Sequence, residues 1–293
     1  MVMISVLIRT YNSAEYVCRA VKSTFSQVVD EQGEVVICDD CSTDDTMKVV
    51  SQLSVPANFK LRIASAGHNI GAIKNFLFAL KQAQGDYVAF LDSDDYWCDN
   101  GKLQRQVDVL RSNPQCSLVH TAIKILYPDG TIVNTNSKHP TKSERIFYQT
   151  NVTTSSMMFR NSVELLAEYE KLMQKHKWCI DDMPFQLLLG LRGSFMFINE
   201  PMTVYCAMPV SASHFNDGRK SYLYDKSSME IRNYFYPFYK DRLDDSDYHE
   251  NLFHLYKQML RQYKLMAWRE IFPLLRLMPY YKMIIQRHNL RKK

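Results

Sequence analysis

The sequence predicts an α/β fold: a mostly parallel sheet flanked by helices, with a helical C-terminal extension. Three observations predict it. Over the first hundred residues, short apolar runs alternate with segments of helical spacing. Each run ends in a polar or acidic cluster, which is where open parallel sheets bind ligands. From residue 221 onward the spacing is helical throughout and rich in Tyr, Phe, Lys and Arg.

The elements follow in order. Residues 4–8 form a first strand. Asn12 and Ser13 offer a helix cap, and residues 14–25 carry helical spacing. Residues 34–38 are a second strand, and residues 46–53 a helix after Ser42, Thr43 and Asp44. Residues 60–64 are a third strand. Gly71 precedes a helix to about Ala83, Gly85 breaks it, and residues 87–91 are a fourth strand. Residues 101–113 read as a helix. Residues 117–126 and 132–134 read as strands joined by a Pro128-Asp129-Gly130 turn. A polar loop covers 136–145. A strand at 155–159 and helices at 162–176 and 184–191 complete the body. The organisation expected is one domain in two halves, at 1–100 and 101–218, followed by a basic helical segment at 219–293.

With 293 residues, 46% of them hydrophobic, the chain can bury a sizeable core. No apolar run approaches the ~20 residues of a spanning helix. The N-terminus reads as a strand, with no basic region or cleavage site of a signal peptide. The seven cysteines are scattered and odd in number, which suits reduced thiols. Cys38 and Cys41 form a C-x-x-C with no second pair to complete a zinc site. Residues 251–293 hold ten Lys and Arg against the single acid Glu270, so the net charge of +5 hides a −4 body and a +9 tail.

Three acidic constellations carry chemistry. Asp92, Asp94 and Asp95 crowd three carboxylates into four positions after an apolar strand. They repel one another unless a cation or hydrogen bonds offset the cost, and hard oxygen ligands suit Mg²⁺ or Mn²⁺ holding a pyrophosphate. The bland alternative is a solvated turn. An EF-hand fails, because Trp97 stands where glycine is needed. Asp40, in VICDDCSTDD at 36–45, follows another strand and suits a base edge or ribose, or else marks a helix cap. Asp181 and Asp182 follow the apolar Trp178 and Ile180, a setting that can raise one pKa for a general base, or simply place acids at a helix N-terminus. No G-x-G-x-x-G, P-loop or G-x-S-x-G motif occurs.

Five segments occur in order: SVLIRTYN at 5–12, VICDDCSTDD at 36–45, NIGAIKN at 69–75, GDY at 85–87 and LDSDDYW at 91–97, with Lys102, Leu103 and Gln106 following. Over residues 3–215 this pattern resembles the family 2 glycosyltransferases of GT-A fold, especially bacterial members that build O-antigen or capsule. The resemblance implies a nucleotide-sugar donor, UDP being the family's commonest nucleotide. It makes 1–100 the nucleotide-sugar-binding half and 101–218 the acceptor-binding half, and it puts Thr10 in the donor site, with Tyr11 stacking on the base and Asp40 hydrogen-bonding to it. It sets Asn69 and Lys74 near the nucleotide, Asp92 by the ribose and Asp94 on a Mn²⁺ or Mg²⁺ ion, as the second acid of D-x-D. Asp182 becomes the base and Asp181 its neighbour by the acceptor.

Two departures stand out. Arg9 occupies a position where proline is common. Met208 stands where a histidine often follows a tyrosine, and His214, six residues on, is the candidate metal ligand in its place. The Q-x-x-R-W motif of processive members is absent, which favours one sugar per encounter. The expected reaction is inverting transfer to a hydroxyl of a saccharide acceptor, lipid-linked, in surface polysaccharide synthesis. The basic, aromatic tail is expected to sit on an anionic membrane at the cytoplasmic, inner face of the plasma membrane. Its aromatics could instead pack on the body or on a second copy in a homodimer. Rival readings are a nucleotidyltransferase, which lacks the glycine-rich phosphate loop here, and an inactive GT-A-like scaffold that binds polysaccharide or a partner protein. A nucleic-acid partner is not expected, because the body is acidic.

Overall fold

The structure, a computed structural model, describes residues 3–135, 142–148, 152–208 and 217–262. The chain divides into two compact units. The first comprises Met1–Ser143, Asn151–His176 and Leu188–Met208; the second comprises Glu144–Thr150, Lys177–Leu187 and Pro209–Lys293.

Among the described residues, the first unit holds one nine-stranded sheet. Strands β1 (Met3–Thr10), β2 (Gln32–Asp39), β3 (Phe59–Ser65) and β4 (Tyr87–Asp92) are parallel, in the order β3-β2-β1-β4. The rest is mixed. β8 (Met157–Arg160) pairs antiparallel with both β4 and β6 (Cys116–Leu126). β9 (Ser194–Cys206) runs parallel to β6, and β5 (Tyr96–Trp97) pairs antiparallel with β9. β7 (Ile132–Asn134) pairs with β6 through the expected turn.

The central strands read as near-continuous apolar runs because helices cover both faces. Ile4, Val6 and Ile8 of β1 share a core with Val17, Ala20 and Val21 of α1 (Val17–Phe25) and with Leu103, Val107 and Leu110 of α4 (Lys102–Ser112). On the other face, Phe76 of α3 (Ala72–Gln82) stacks on Phe90 at 4.7 Å, and Tyr169 of α5 (Val163–His176) meets Phe76 edge-on at 5.7 Å. The short α2 (Thr46–Ser51) follows β2.

Two expectations need correction. Asn12 and Ser13 do not cap α1, which starts at Val17 with no side-chain cap. Asn12 takes a left-handed φ of 48°, and its side chain is used across the loop instead. β9 was not anticipated as a strand. Asn199, Glu200 and Pro201 interrupt its pattern, and the β6–β9 register shifts around Thr121–Ile123 absorb them as an irregularity.

In the second unit, α6 contributes its start, at Asp182 (α6 spans Asp182–Arg192), beside α7 (Gly218–Tyr239) and α8 (Asp245–Gln262). Asp217 caps α7, its Oδ1 accepting from the Arg219 amide at 2.8 Å. Buried Arg232 donates to the Phe147 carbonyl at 2.7 Å, and the Tyr239 hydroxyl to the Leu187 carbonyl at 2.7 Å. Those bonds satisfy polar groups inside an aromatic core of Phe147, Tyr239 and Tyr248.

Candidate active site

Three parallel strands end together at one edge of the sheet, because the β1–β2 and β1–β4 ladders are in register at Thr10–Asp39 and Arg9–Asp92. That edge therefore collects Thr10, Tyr11, Asp39, Asp40, Asp92 and Asp94. Tyr11 stands 48% exposed, with its ring open for stacking. Thr10 is buried, and its Oγ1 lacks a hydrogen-bond partner among the described residues.

The turn after β2 is built from side-chain to backbone hydrogen bonds. Asp39 accepts from the Ser42 amide and hydroxyl at 3.0 and 2.5 Å. Ser42 Oγ accepts from the Asn12 amide at 2.9 Å, and Asn12 Oδ1 from the Thr43 amide at 2.8 Å. Asp44 accepts from the Ala14 amide at 3.1 Å, and the Thr46 hydroxyl bond, foremost, holds its carboxyl below the usual range. Such Asx-type turns permit the positive φ of Asn12 and Cys41.

Asp40 is only 4% exposed. Its Oδ1 accepts from the Ile70 amide at 2.7 Å and its Oδ2 from the Gly71 amide at 2.9 Å. The carboxylate thus clamps the loop before α3, where Gly71 has a φ of 82°. Each oxygen keeps a second lone pair for a ligand N–H. Asn69 and Lys74 flank that loop and are exposed. Asn75, which was not singled out for a role, donates to the Cys38 carbonyl at 3.0 Å from a buried position.

The three acids at the end of β4 and in the turn after it separate into distinct roles. Asp92 is paired with Arg9. Asp95 is 1% exposed and accepts from the Ser155 hydroxyl at 2.6 Å and the Cys206 amide at 2.9 Å. Burial, then Asp94 and Asp92, push its carboxyl well above the usual range. Ser155 Oγ also accepts from the Asp92 amide at 3.1 Å and its carbonyl from the Thr203 hydroxyl at 3.3 Å, so this serine, just before β8, staples the acidic turn to β9. Asp94 makes no such side-chain bonds. Arg19 binds only its carbonyl, at 3.0 Å, and stacks on Tyr96 at 4.4 Å. Burial, then the Asp92 charge, raise the Asp94 carboxyl to about 6. An acid held in that position gains from a cation. Among the described residues no group of three or more His, Cys, Asp or Glu is arranged to hold a metal alone. Asp94, with no side-chain partner of its own, could hold a Mg²⁺ or Mn²⁺ ion only together with oxygens from other groups.

A buried lysine supports the turn from beneath. Lys102 Nζ donates to Gln106 at 2.7 Å and lies 4.2 Å from the Trp97 ring centre. Gln106 in turn donates to the Ser156 carbonyl at 2.9 Å, and Trp97 Nε1 to the Ser155 carbonyl at 2.9 Å. Burial pushes the Lys102 ammonium well below its usual range.

The family model described as glycosyl transferase family 2 matches residues 5–169, more than half of the chain and all of this sheet edge. The chain belongs to that family. Among relatives of this glycosyltransferase-family chain, an Escherichia coli protein is named UDP-Glc:alpha-D-GlcNAc-diphosphoundecaprenol beta-1,3-glucosyltransferase WfaP. The two are 36% identical over 114 residues, covering 38% of this chain and 43% of the relative. The chain spans about half the length of the curated relatives it matches. Residues 1–349 of S. aureus TarS, solved in complex with UDP-GlcNAc, share the fold at a TM-score of 0.57 and 18% identity, with 99% of this chain and 92% of that one covered. The mannosyltransferase PcManGT from Pyrobaculum calidifontis, in complex with GDP-Man and Mn²⁺, does so at 0.53 and 16%, with 99% and 87% covered. The GT-A-like fold expected from the sequence is thereby shown.

The acid pair of this family member lies in the second unit. Asp181 Oδ1 accepts from the Asp182 amide at 2.8 Å, and Asp182 Oδ1 from the Met183 amide at 2.7 Å, so both acids organise the first turn of α6. Tyr224 of α7 was not foreseen beside them. Burial, then Asp182 and Asp181, raise its hydroxyl above the usual range. Sequence spacing gave no signal for it, because more than forty residues intervene. Met208 is described but His214 lies outside the described residues, as does the tail from 263.

Proposed function

We propose that this chain is an inverting glycosyltransferase that moves a sugar from a UDP-sugar to a hydroxyl of a lipid-linked saccharide during surface polysaccharide synthesis. The observation that carries the reading is the meeting of an open aromatic ring, Tyr11, a clamped carboxylate, Asp40, and the Asp92–Asp94 pair at one sheet edge. Tyr11 stacks on the base, Asp40 and Thr10 hold its edge, and Asn69 and Lys74 lie along the nucleotide. Asp94 would hold a Mn²⁺ or Mg²⁺ ion, which would supply positive charge against the diphosphate. Asp182, with Asp181 beside it, takes the proton of the acceptor hydroxyl. That oxygen bonds the anomeric carbon from the face opposite the diphosphate. The bond from carbon to diphosphate oxygen breaks, and UDP leaves with the bonding electron pair. The names of WfaP and of the TarS complex support a UDP donor, and the WfaP name supports a diphospholipid acceptor. Among the described residues no helix is long and apolar enough to cross a membrane.

A thermal-shift panel of nucleotide sugars with Mn²⁺ tests the reading. A ligand at about 100 times its Kd stabilises by roughly 2.7 kcal/mol, so one UDP-sugar should stand out. Asp182→Asn should keep that shift and slow transfer by at least ~10²-fold. Near-normal transfer by the variant would move the base role elsewhere. A chain that keeps the shift but neither transfers nor hydrolyses any donor would be the inactive scaffold, whose support is Met208 in the histidine's place.

A further inference from the structure

Arg9 is the residue of the sheet edge whose presence the family pattern does not explain. Its Nε and Nη2 both reach Asp92 Oδ1, at 2.9 and 2.6 Å. The β1–β4 register sets the two residues side by side on one face of the sheet. The guanidinium lies over Phe76 and Phe90, 5.1 and 5.9 Å from the ring centres. Those rings fix its plane, which lysine would not achieve with a point charge. The hydrogen bond from Arg9 goes to Oδ1, and none to Asp92 Oδ2 occurs among the described residues.

We propose that Arg9 is a positioning residue for the donor. It grips Asp92 by one oxygen and leaves the other for the 2′-hydroxyl of the donor ribose. This inference rests on the donor-site reading above. Arg9 acts through Asp92, so its removal should matter only while Asp92 and the ribose 2′-hydroxyl are both present.

A double-mutant cycle by calorimetry tests it, with UDP plus Mn²⁺ and with 2′-deoxy-UDP plus Mn²⁺ as probes. The chains are wild type, Arg9→Met, Arg9→Lys, Asp92→Asn and the Arg9→Met/Asp92→Asn pair. Arg9→Met should weaken UDP about tenfold, as loss of a charge-assisted hydrogen bond does. The double variant should bind no more weakly than Asp92→Asn alone, Arg9→Lys should fall between wild type and Arg9→Met, and 2′-deoxy-UDP should not distinguish Arg9→Met from wild type. Losses that add, or equal losses for the two probes, overturn the proposal, as does unchanged UDP binding by Arg9→Met. Should Arg9→Met not fold, Arg9→Lys decides: weakened UDP with unchanged 2′-deoxy-UDP supports the role, and equal behaviour of the two probes overturns it. A wild type that binds neither probe removes the donor-site reading along with this one. A wild type that binds UDP while the cycle is additive removes only the role of Arg9.

Discussion

Asp94 and Asp95 are adjacent acids, both raised by burial, and their hydrogen bonds give them different work. Asp95 spends its oxygens on Ser155 and Cys206, so it holds β4, β8 and β9 together. Asp94 has no such partners, and its carboxyl titrates at about 6. In the unfolded chain it would titrate near 3.8. Between those values the folded state binds the extra proton, so the stability it lends at low pH is lost as pH rises toward 6. Asp94→Asn removes that loss. Above pH 6 the metal-free variant should melt several degrees higher than wild type, from a term on the order of 2–3 kcal/mol, and the gap should close near pH 4. Thermal melts across pH 4–8 check this, and an unchanged gap would sink it. The same titration should weaken UDP–Mn²⁺ binding by wild type below about pH 6, because a protonated carboxyl is no ligand.

Gly85, at the scale of the element, shows how a residue read for one reason serves another. The sequence marks it as the breaker after α3. In the structure a Cβ there would meet the Met3 carbonyl oxygen at 2.6 Å and the Ser5 amide nitrogen at 2.7 Å. Glycine is what lets the entry to β4 lie against β1, and the Ser5 hydroxyl accepts from the Gly85 amide at 2.8 Å. Gly85→Ala must push β1 and β4 apart at their starts. Its cost should be about 1–3 kcal/mol, seen as a melting temperature lowered by roughly 2–10 °C. A variant that melts with wild type would show that the strands tolerate the methyl. The opposite case is β9. Its length came from pairing with β6, and a local pattern broken by Asn199, Glu200 and Pro201 does not reveal it.

Charge distribution belongs to the whole molecule. The −4 body and the +9 of residues 251–293 act on any anionic surface the chain approaches. The proposed use is the inner face of the plasma membrane, beside the lipid-linked acceptor. Each basic residue contributes about 1 kcal/mol near such a surface, and Trp268, Phe272, Tyr280 and Tyr281 suit the headgroup level. Flotation with anionic liposomes checks it. Full-length protein should float at low salt, float less at high salt, and stay down once residues 267–293 are removed. Protein that stays down at low salt would assign the tail to packing or to a homodimer.

The sequence by itself determined the alternation of strands and helices, the family, and the list of acids at the strand ends, because periodicity and motif order are local properties of the chain. It reached Asp40, Asp92 and Asp94 for that reason. Only the tertiary structure decided what each acid does. Asp95 is a staple, Asp40 clamps the loop before α3, and Asp92 is gripped by Arg9, because these outcomes depend on partners thirty to more than a hundred residues away. Tyr224 beside Asp181 and Asp182 is of the same kind, since burial and the fields of distant charges exist only once the chain has folded.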